Sequence, residues 1–103
     1  MKEGRLIVER RDASDIGMRD LYVIVDELPE ETLLYGGSLE LPLPPGEHRV
    51  KVTNRLFSKV ETFMLGEGQT VRFSGANVGA SSLLAPLMII TGTGAYKVAL
   101  KRM

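Results

Sequence analysis

The chain has 103 residues, with 13 basic and 13 acidic side chains and no net charge when its single histidine is neutral. This length suits one domain with one modest core, and we expect residues 1–103 to form a single domain. The charge balance gives no long-range field to attract nucleic acid, which argues against a nucleic-acid partner. The absence of cysteine excludes a disulfide framework and a thiolate metal site.

The N-terminal residues do not resemble a signal peptide. Charged residues return at Glu9, so the apolar run before it is too short for the central region of such a peptide. We therefore expect a cytoplasmic protein. Association with the cell envelope is expected only if the sequence is part of a longer exported or membrane-bound protein.

Two apolar runs in the first quarter of the chain predict strands. Leu6-Ile7-Val8 lies between charged ends and is followed by a loop rich in turn residues. The next run, from Leu21 to Val25, is apolar on both faces. This pattern predicts a strand in the middle of a sheet, with both faces at least partly covered.

Residues 39–53, with the sequence LELPLPPGEHRVKVT, predict two strands joined by a tight turn. Apolar residues alternate with polar ones on both sides of the turn, as expected of half-buried strands; they are Leu39, Leu41 and Leu43 before it and Val50 and Val52 after it. Between them, Pro44, Pro45 and Gly46 provide a fixed φ followed by a residue free to adopt positive φ, as a type II turn requires. We expect a hairpin here.

Further strands are expected in the second half of the chain. The alternation over Ser58–Leu65 is mixed, and a bulge near Thr62 would reconcile it. Residues 66–68 form a short glycine-rich link of the hairpin type, after which a strand contains Val71 and Phe73. The last strand, around Tyr96–Leu100, has a basic outer face.

Together these runs number about eight short strands with turn signals between them, and no stretch has helical periodicity. The sequence therefore predicts an all-β fold. The architecture that we expect is an immunoglobulin-like or prealbumin-like β-sandwich of about seven or eight antiparallel strands.

The stretch from Phe73 to Tyr96 carries no charge, and its centre is the most apolar part of the chain. A transmembrane helix is disfavoured, because a span needs about 20 predominantly apolar residues and Asn77, Pro86 and several glycines interrupt this window. In a second interpretation, Leu87–Ile90 is a core strand that forms a hairpin with the last strand, and residues 76–86 are a loop across one end of the sandwich.

In a third interpretation, the same apolar side chains stay partly exposed and form a surface for a partner chain or a membrane. The residues of this candidate interaction surface are Leu83, Leu84, Leu87, Met88, Ile89 and Ile90.

The residue types that carry chemistry are sparse. His48 shares its strand face with the valines that follow it, so we expect a hydrogen-bonded structural residue rather than a catalyst or metal ligand. The acidic loop of residues 26–31 matches no calcium-binding spacing, and a solvated turn is the simpler interpretation, although whether it binds a cation stays open. We expect no catalytic residue, no metal and no cofactor, and hence no enzyme.

Several of these segments resemble bacterial domains of the PEGA type. The resemblance covers roughly Leu21–Phe73 and is strongest in the sequence LPPGEHRVKV, whose Pro-Gly-x-His turn and Val-x-Val strand are typical of those domains. Val25 and Asp26 match the end of an earlier strand, although Glu27 stands where such domains usually carry glycine. The resemblance implies a β-sandwich used as an accessory or binding module, often in the cell envelope.

We therefore expect a non-catalytic accessory or interaction module that acts through protein–protein contacts, with another protein or by self-association. Contact with a membrane surface, without spanning it, stays open. The alternative function is a small-ligand or carbohydrate-binding module with a cavity at one end of the sandwich, near Tyr35.

Overall fold

The computed structural model describes residues 2–12, 15, 20–55, 57–79 and 96–103. Within these ranges the regular structure consists of β-strands alone, which confirms the predicted all-β fold. The strands are β1 (Gly4–Glu9), β2 (Leu21–Val25), β3 (Glu31–Leu33), β4 (Ser38–Leu43), β5 (Gly46–Thr53), β6 (Ser58–Leu65), β7 (Thr70–Gly79) and β8 (Tyr96–Arg102).

The eight strands form two sheets of four that pack as a sandwich. The first sheet has the order β4-β1-β7-β8 and the second the order β3-β2-β5-β6. The pairs are antiparallel except β1 and β7, which run parallel, with Leu6 opposite Val71 and Val8 opposite Phe73. The prediction of antiparallel strands throughout is therefore wrong for this pair, because both strands run from the same end of the sandwich.

The predicted hairpin of residues 39–53 is also wrong. Both of its strands form, but β4 pairs with β1 in the first sheet while β5 pairs with β2 and β6 in the second. Pro44 and Pro45 therefore make a corner that carries the chain between sheets, and Gly46 leaves it with a φ of 137°. The glycine-rich link of residues 66–69 likewise joins β6 of the second sheet to β7 of the first.

The core lies between the sheets and contains apolar side chains from all eight strands. Its buried members are Leu6, Val8, Leu21, Val23, Val25, Leu33, Leu43, Val50, Val52, Phe63, Leu65, Val71, Phe73, Val98 and Leu100. Phe63 and Phe73 meet edge to face across the sheets, with ring centroids 5.5 Å apart. β2 lies inside its sheet as predicted, and Tyr22 and Ile24 on its outer face are half-buried.

The mixed alternation of β6 has a different cause from the predicted bulge. Its register with β5 is continuous from Gly46 opposite Leu65 to Thr53 opposite Ser58, so no residue is inserted. Because opposite residues share a face, the charged side chains of Lys59 and Glu61 are on the same face as the core valines of β5. β6 is an edge strand, and core-side charges there discourage pairing with another chain.

The two ends of the sandwich are distinct. At the Pro44 end lie the β4–β5 corner, the β2–β3 turn and the link of residues 66–69. At the Asn54 end lie the β5–β6 turn and the point at which β7 finishes and β8 begins, because Gly79 and Tyr96 are register partners. Residues 76–79 belong to β7, so the prediction of a loop over residues 76–86 is wrong for these four residues, and the rest of that range lies outside the described residues.

Candidate functional site

The predicted apolar surface is attached to the Asn54 end. Its residues, Leu83, Leu84, Leu87, Met88, Ile89 and Ile90, lie outside the described residues, as does the predicted core strand of residues 87–90. The strands that flank the segment are neighbours in the first sheet, since β7 and β8 pair continuously from Phe73 opposite Arg102 to Gly79 opposite Tyr96. Residues 80–95 therefore connect two neighbouring strand ends.

A pair of buried carboxamides lies under this end of the sandwich. Nδ2 of Asn54 donates to Oδ1 of Asn77 over 2.9 Å, which joins the β5–β6 turn of one sheet to β7 of the other. The Oδ1 atom of Asn54 accepts the backbone N–H of Phe57 at 2.7 Å. Both asparagines are almost fully excluded from solvent. A hydrogen-bonded polar pair therefore forms part of the interior at the Asn54 end.

A second buried polar group, which sequence reasoning missed, lies at the same end. Arg10 follows β1 and has an exposed fraction of 1%. Its Nε atom donates to Oδ2 of Asp15 at 2.8 Å, and Nη1 donates to the carbonyl oxygen of Leu33 at 3.0 Å. Its guanidinium also lies 5.7 Å from the ring centroid of Tyr35. Arg10 sits in a run of charged residues that resembles a solvated loop, so no local signal marks it as buried.

The Pro44 end contains a groove with a volume of about 630 Å³. Its walls are the β2–β3 turn, including Leu28, and the end of β4, including Leu43 and Pro44. Asp26, Glu27, His48 and Arg49 add polar atoms. This groove is at the opposite end from Tyr35, where the sequence predicted a ligand cavity.

His48 connects the walls of this groove. It is buried on the core side of β5, as predicted. Its Nδ1 atom lies 2.6 Å from Oδ2 of Asp26, and its Nε2 atom lies 2.6 Å from the carbonyl oxygen of Pro44. The other oxygen of Asp26 accepts the backbone N–H of Arg49 at 2.9 Å. Asp26 has a φ of 51°, which lets the turn form although Glu27 is not a glycine.

This geometry shifts the protonation equilibria of both partners in opposite directions. Burial lowers the pKa of His48, but the hydrogen bonds to Asp26 and Pro44 outweigh it and raise the pKa above the ordinary 6.5. Burial raises the pKa of Asp26, but the bonds from His48 and the Arg49 amide outweigh it and lower the pKa below the ordinary 3.8. Both shifts favour the imidazolium form of His48 and the carboxylate form of Asp26.

The His48–Asp26 pair resembles the histidine and carboxylate of a catalytic triad, but its other nitrogen faces a backbone oxygen. In a triad that nitrogen accepts a proton from a nucleophile. Here the carbonyl of Pro44 occupies the position and has no proton to give. The arrangement holds backbone segments together rather than activating a nucleophile.

The acidic loop of residues 26–31 does not gather its carboxylates. Asp26 is directed to His48, whereas Glu30 forms two hydrogen bonds of 2.8 and 2.7 Å with Arg55 on the β5–β6 turn. Arg55 in turn lies over the ring of Tyr22, 3.9 Å from its centroid. Within the described ranges, no three histidine or carboxylate side chains come together as a metal site.

The part of the chain that the structure describes contains no helix long and apolar enough to cross a bilayer. The chain matches no protein-family model and no curated protein. The resemblance to PEGA-type domains therefore stays a prediction that rests on the residues quoted above, and so does the immunoglobulin-like or prealbumin-like architecture.

Proposed function

We propose that this chain is a non-catalytic interaction module that acts through protein–protein contacts, with residues 83–90 as the contacting surface and a second copy of the chain as the partner. The observation that carries the proposal is the register of Gly79 with Tyr96. It attaches an uncharged, strongly apolar segment to one end of a sandwich whose core already contains side chains from every strand.

The polar groups buried at the Asn54 end support the proposal that the apolar side chains of this segment contact another chain rather than the core. The groups buried there include the amides of Asn54 and Asn77 and the ion pair of Arg10 with Asp15. Leucine and isoleucine side chains gain free energy when they leave water for an apolar environment. A hydrogen-bonded polar end offers them less apolar contact than a matching apolar surface on another chain.

Two features support a role without catalysis. Both ring nitrogens of the single histidine are directed at protein oxygens, so it is not positioned to accept a proton from a substrate. In the acidic loop, the carboxylates of Asp26 and Glu30 are directed at different partners, Arg49 and Arg55, instead of at one point. The resemblance to PEGA-type domains also favours an accessory module.

The test is the molar mass of the full chain in solution, measured by light scattering for the wild type and for Leu83→Asp and Met88→Asp. We expect a defined oligomer for the wild type and a folded monomer for each variant, because a charge in the contact surface must be dehydrated for the chains to associate. Met64→Asp is the matched control, since Met64 is an exposed methionine on the outer face of β6, and this variant should keep the wild-type mass.

Three results would contradict the proposal. A wild type that is monomeric with and without mild detergent has no self-association to explain. Variants that unfold would place Leu83 and Met88 in the core. A wild type that disperses only when bound to detergent micelles would identify a membrane surface, rather than a second chain, as the partner.

A second function is favoured by the groove at the Pro44 end. Leu28, Leu43 and Pro44 provide an apolar lining, and Asp26 and His48 provide polar atoms beside it, the combination typical of a small-ligand site. Backbone amide shifts measured against a panel of small apolar acids, amines and sugars would test it. Saturable shifts confined to the amides of Asp26, Leu28, Leu43 and His48 would support a ligand-binding module, and a panel without such shifts would count against it.

A further inference from the structure

We infer that the His48 imidazolium is a proton-dependent clasp that holds the β2–β3 turn against the β4–β5 corner and sets the shape of the groove between them. This inference is independent of the function proposed for the Asn54 end. It rests on contacts at the Pro44 end alone.

The two partners of His48 require two protons on the ring. The Asp26 carboxylate and the Pro44 carbonyl are both hydrogen-bond acceptors, each 2.6 Å from a ring nitrogen. A neutral imidazole has one N–H, so it can donate to only one of them. The cation is therefore the only form of the ring that satisfies both contacts while Asp26 is ionised.

Loss of the proton has a directional consequence. A neutral ring keeps its N–H toward the group that attracts it most, which is the charged Asp26 carboxylate. Nε2 is then a lone pair facing the lone pairs of the Pro44 oxygen, and that contact is repulsive. The β4–β5 corner, rather than the β2–β3 turn, is the wall that deprotonation releases.

The surroundings of His48 leave Asp26 as its dominant electrostatic partner. Across the strand pair, β6 presents the uncharged ring of Phe63, whose centroid is 5.7 Å from that of His48. At the end of β4, the residues that line the groove are Leu43 and Pro44, and neither is charged. Among the described residues next to His48 and Asp26 in the chain, Glu27, Glu47 and Arg49 are charged, but all three are exposed to solvent and therefore screened.

The test is an NMR titration of the labelled full chain from pH 5 to pH 9.5, following the imidazole nitrogens, the Pro44 carbonyl carbon and the Gly46 amide. The chain has one histidine, so the ring signals need no further assignment. We expect imidazolium shifts for both nitrogens at pH 6 and a midpoint above the ordinary value of about 6.5. The Pro44 and Gly46 signals should change with the same midpoint.

Two variants test whether the changes at Pro44 and Gly46 are caused by His48 or by a general effect of pH on the protein. Asp26→Asn keeps an acceptor for Nδ1 but removes the charge, so the His48 midpoint should fall relative to the wild type. In His48→Gln, the Pro44 and Gly46 signals should lose this transition. The amides of residues 66–69 at the same end form their own turn, and they should not follow the His48 midpoint in any variant.

The inference is overturned if the ring is a neutral tautomer at pH 6, or if Pro44 and Gly46 do not respond as His48 loses its proton. It is also overturned if their transition persists in His48→Gln. If His48→Gln does not fold, the titration midpoint of His48 in Asp26→Asn tests the inference instead. A midpoint equal to that of the wild type would show that Asp26 does not stabilise the proton on His48 and would overturn the inference.

Discussion

A side-chain hydrogen bond from Nδ2 of Asn54 to Oδ1 of Asn77, 2.9 Å long, joins the two sheets in a region that water does not reach. Asn54 also accepts the Phe57 amide and thereby shapes the β5–β6 turn. This pair therefore couples the closure of a turn in one sheet to the position of β7 in the other, next to the point at which the uncharged segment leaves β7.

Removal of Asn77 should destabilise the fold. In Asn77→Ala, Nδ2 of Asn54 loses its bond to Oδ1 of Asn77 while Asn54 stays buried, and removing one partner of a buried hydrogen bond costs about 1–3 kcal/mol. We expect urea denaturation to show a decrease of that size in the free energy of unfolding. Ser74→Ala, on the outer face of the same strand, is the control and should change it by less than about 0.5 kcal/mol. Equal stabilities of the two variants would contradict a role for the amide pair.

Arg10 should be far more important for stability than its neighbour Arg11. Arg10→Met removes the guanidinium that pairs with the fully buried carboxylate of Asp15, and breaking a buried ion pair from one side costs about 3–5 kcal/mol. Arg11 is exposed and makes one hydrogen bond of 3.3 Å to Gly36, so Arg11→Met should have little effect. The measurement is thermal unfolding by circular dichroism.

The double variant Arg10→Met with Asp15→Leu should recover part of the stability lost in the single variant. Replacing both members of a buried ion pair by apolar side chains removes the uncompensated charge. A double variant less stable than Arg10→Met would show that the two residues act separately.

The stability contributed by the His48–Asp26 pair should depend on pH in a defined direction. The pKa of His48 is raised on folding, so its contribution is complete below about pH 6.5 and is lost as pH rises through the higher folded value. The pKa of Asp26 is lowered, so its contribution is present above about pH 3.8 and is lost as pH falls through the lower folded value. The pair therefore stabilises most between these two pH values.

Urea denaturation of the wild type and His48→Gln at pH 5.5 and pH 9 measures this contribution. We expect the free energy of unfolding of the wild type to exceed that of the variant by a larger amount at pH 5.5 than at pH 9. The change should be below about 1 kcal/mol, because the Asp26 side chain is 36% exposed and solvent screens the interaction. A difference that is constant, or larger at pH 9, would contradict the assignment.

Gly4 should not tolerate a side chain. A Cβ atom there would lie 2.6 Å from Cγ of the buried Leu65 and 2.9 Å from the backbone oxygens of Gly66 and Gln69. Overpacking of this kind costs about 1–3 kcal/mol, so Gly4→Ala should melt several degrees lower than the wild type. Gly66→Ala, whose nearest neighbour is the flexible Gln69 side chain at 3.2 Å, should be milder.

Gly46 should be required for its backbone conformation alone. Its φ of 137° is strained for any residue with a Cβ atom, yet among the described residues no atom beyond its two chain neighbours lies within 4 Å of the position where that Cβ would be. Gly46→Ala should therefore lose about 1–3 kcal/mol of stability without any steric clash. Gly36→Asn is the comparison, since φ there is 77°, a region that asparagine tolerates. Similar melting temperatures for the two variants would contradict this account.

The buried polar residues at the two ends of the sandwich differ in how well the sequence predicted them. His48 was predictable as a buried structural residue, because it alternates in phase with Val50 and Val52. Its partners were not, since Asp26 and Pro44 meet it only when two turns from different sheets fold together. Nothing in the sequence around Arg10 predicted its burial, because a charged side chain becomes buried only when residues distant in the sequence enclose it.

The sequence by itself determined most of the strands and, where the alternation is regular, the face that each one turns to the core. Alternation of apolar and polar residues records the burial of a face, and it specified the leucines of β4 and the valines of β5 correctly. Only the tertiary structure decided which strands are neighbours. If β4 and β5 formed a hairpin in one sheet, their leucines and valines would alternate with polar residues in the same way. Here the two strands belong to different sheets that face each other across the core, and the alternation is the same. The pairing depends on backbone hydrogen bonds, which every residue except proline can donate, so the side-chain pattern does not record it.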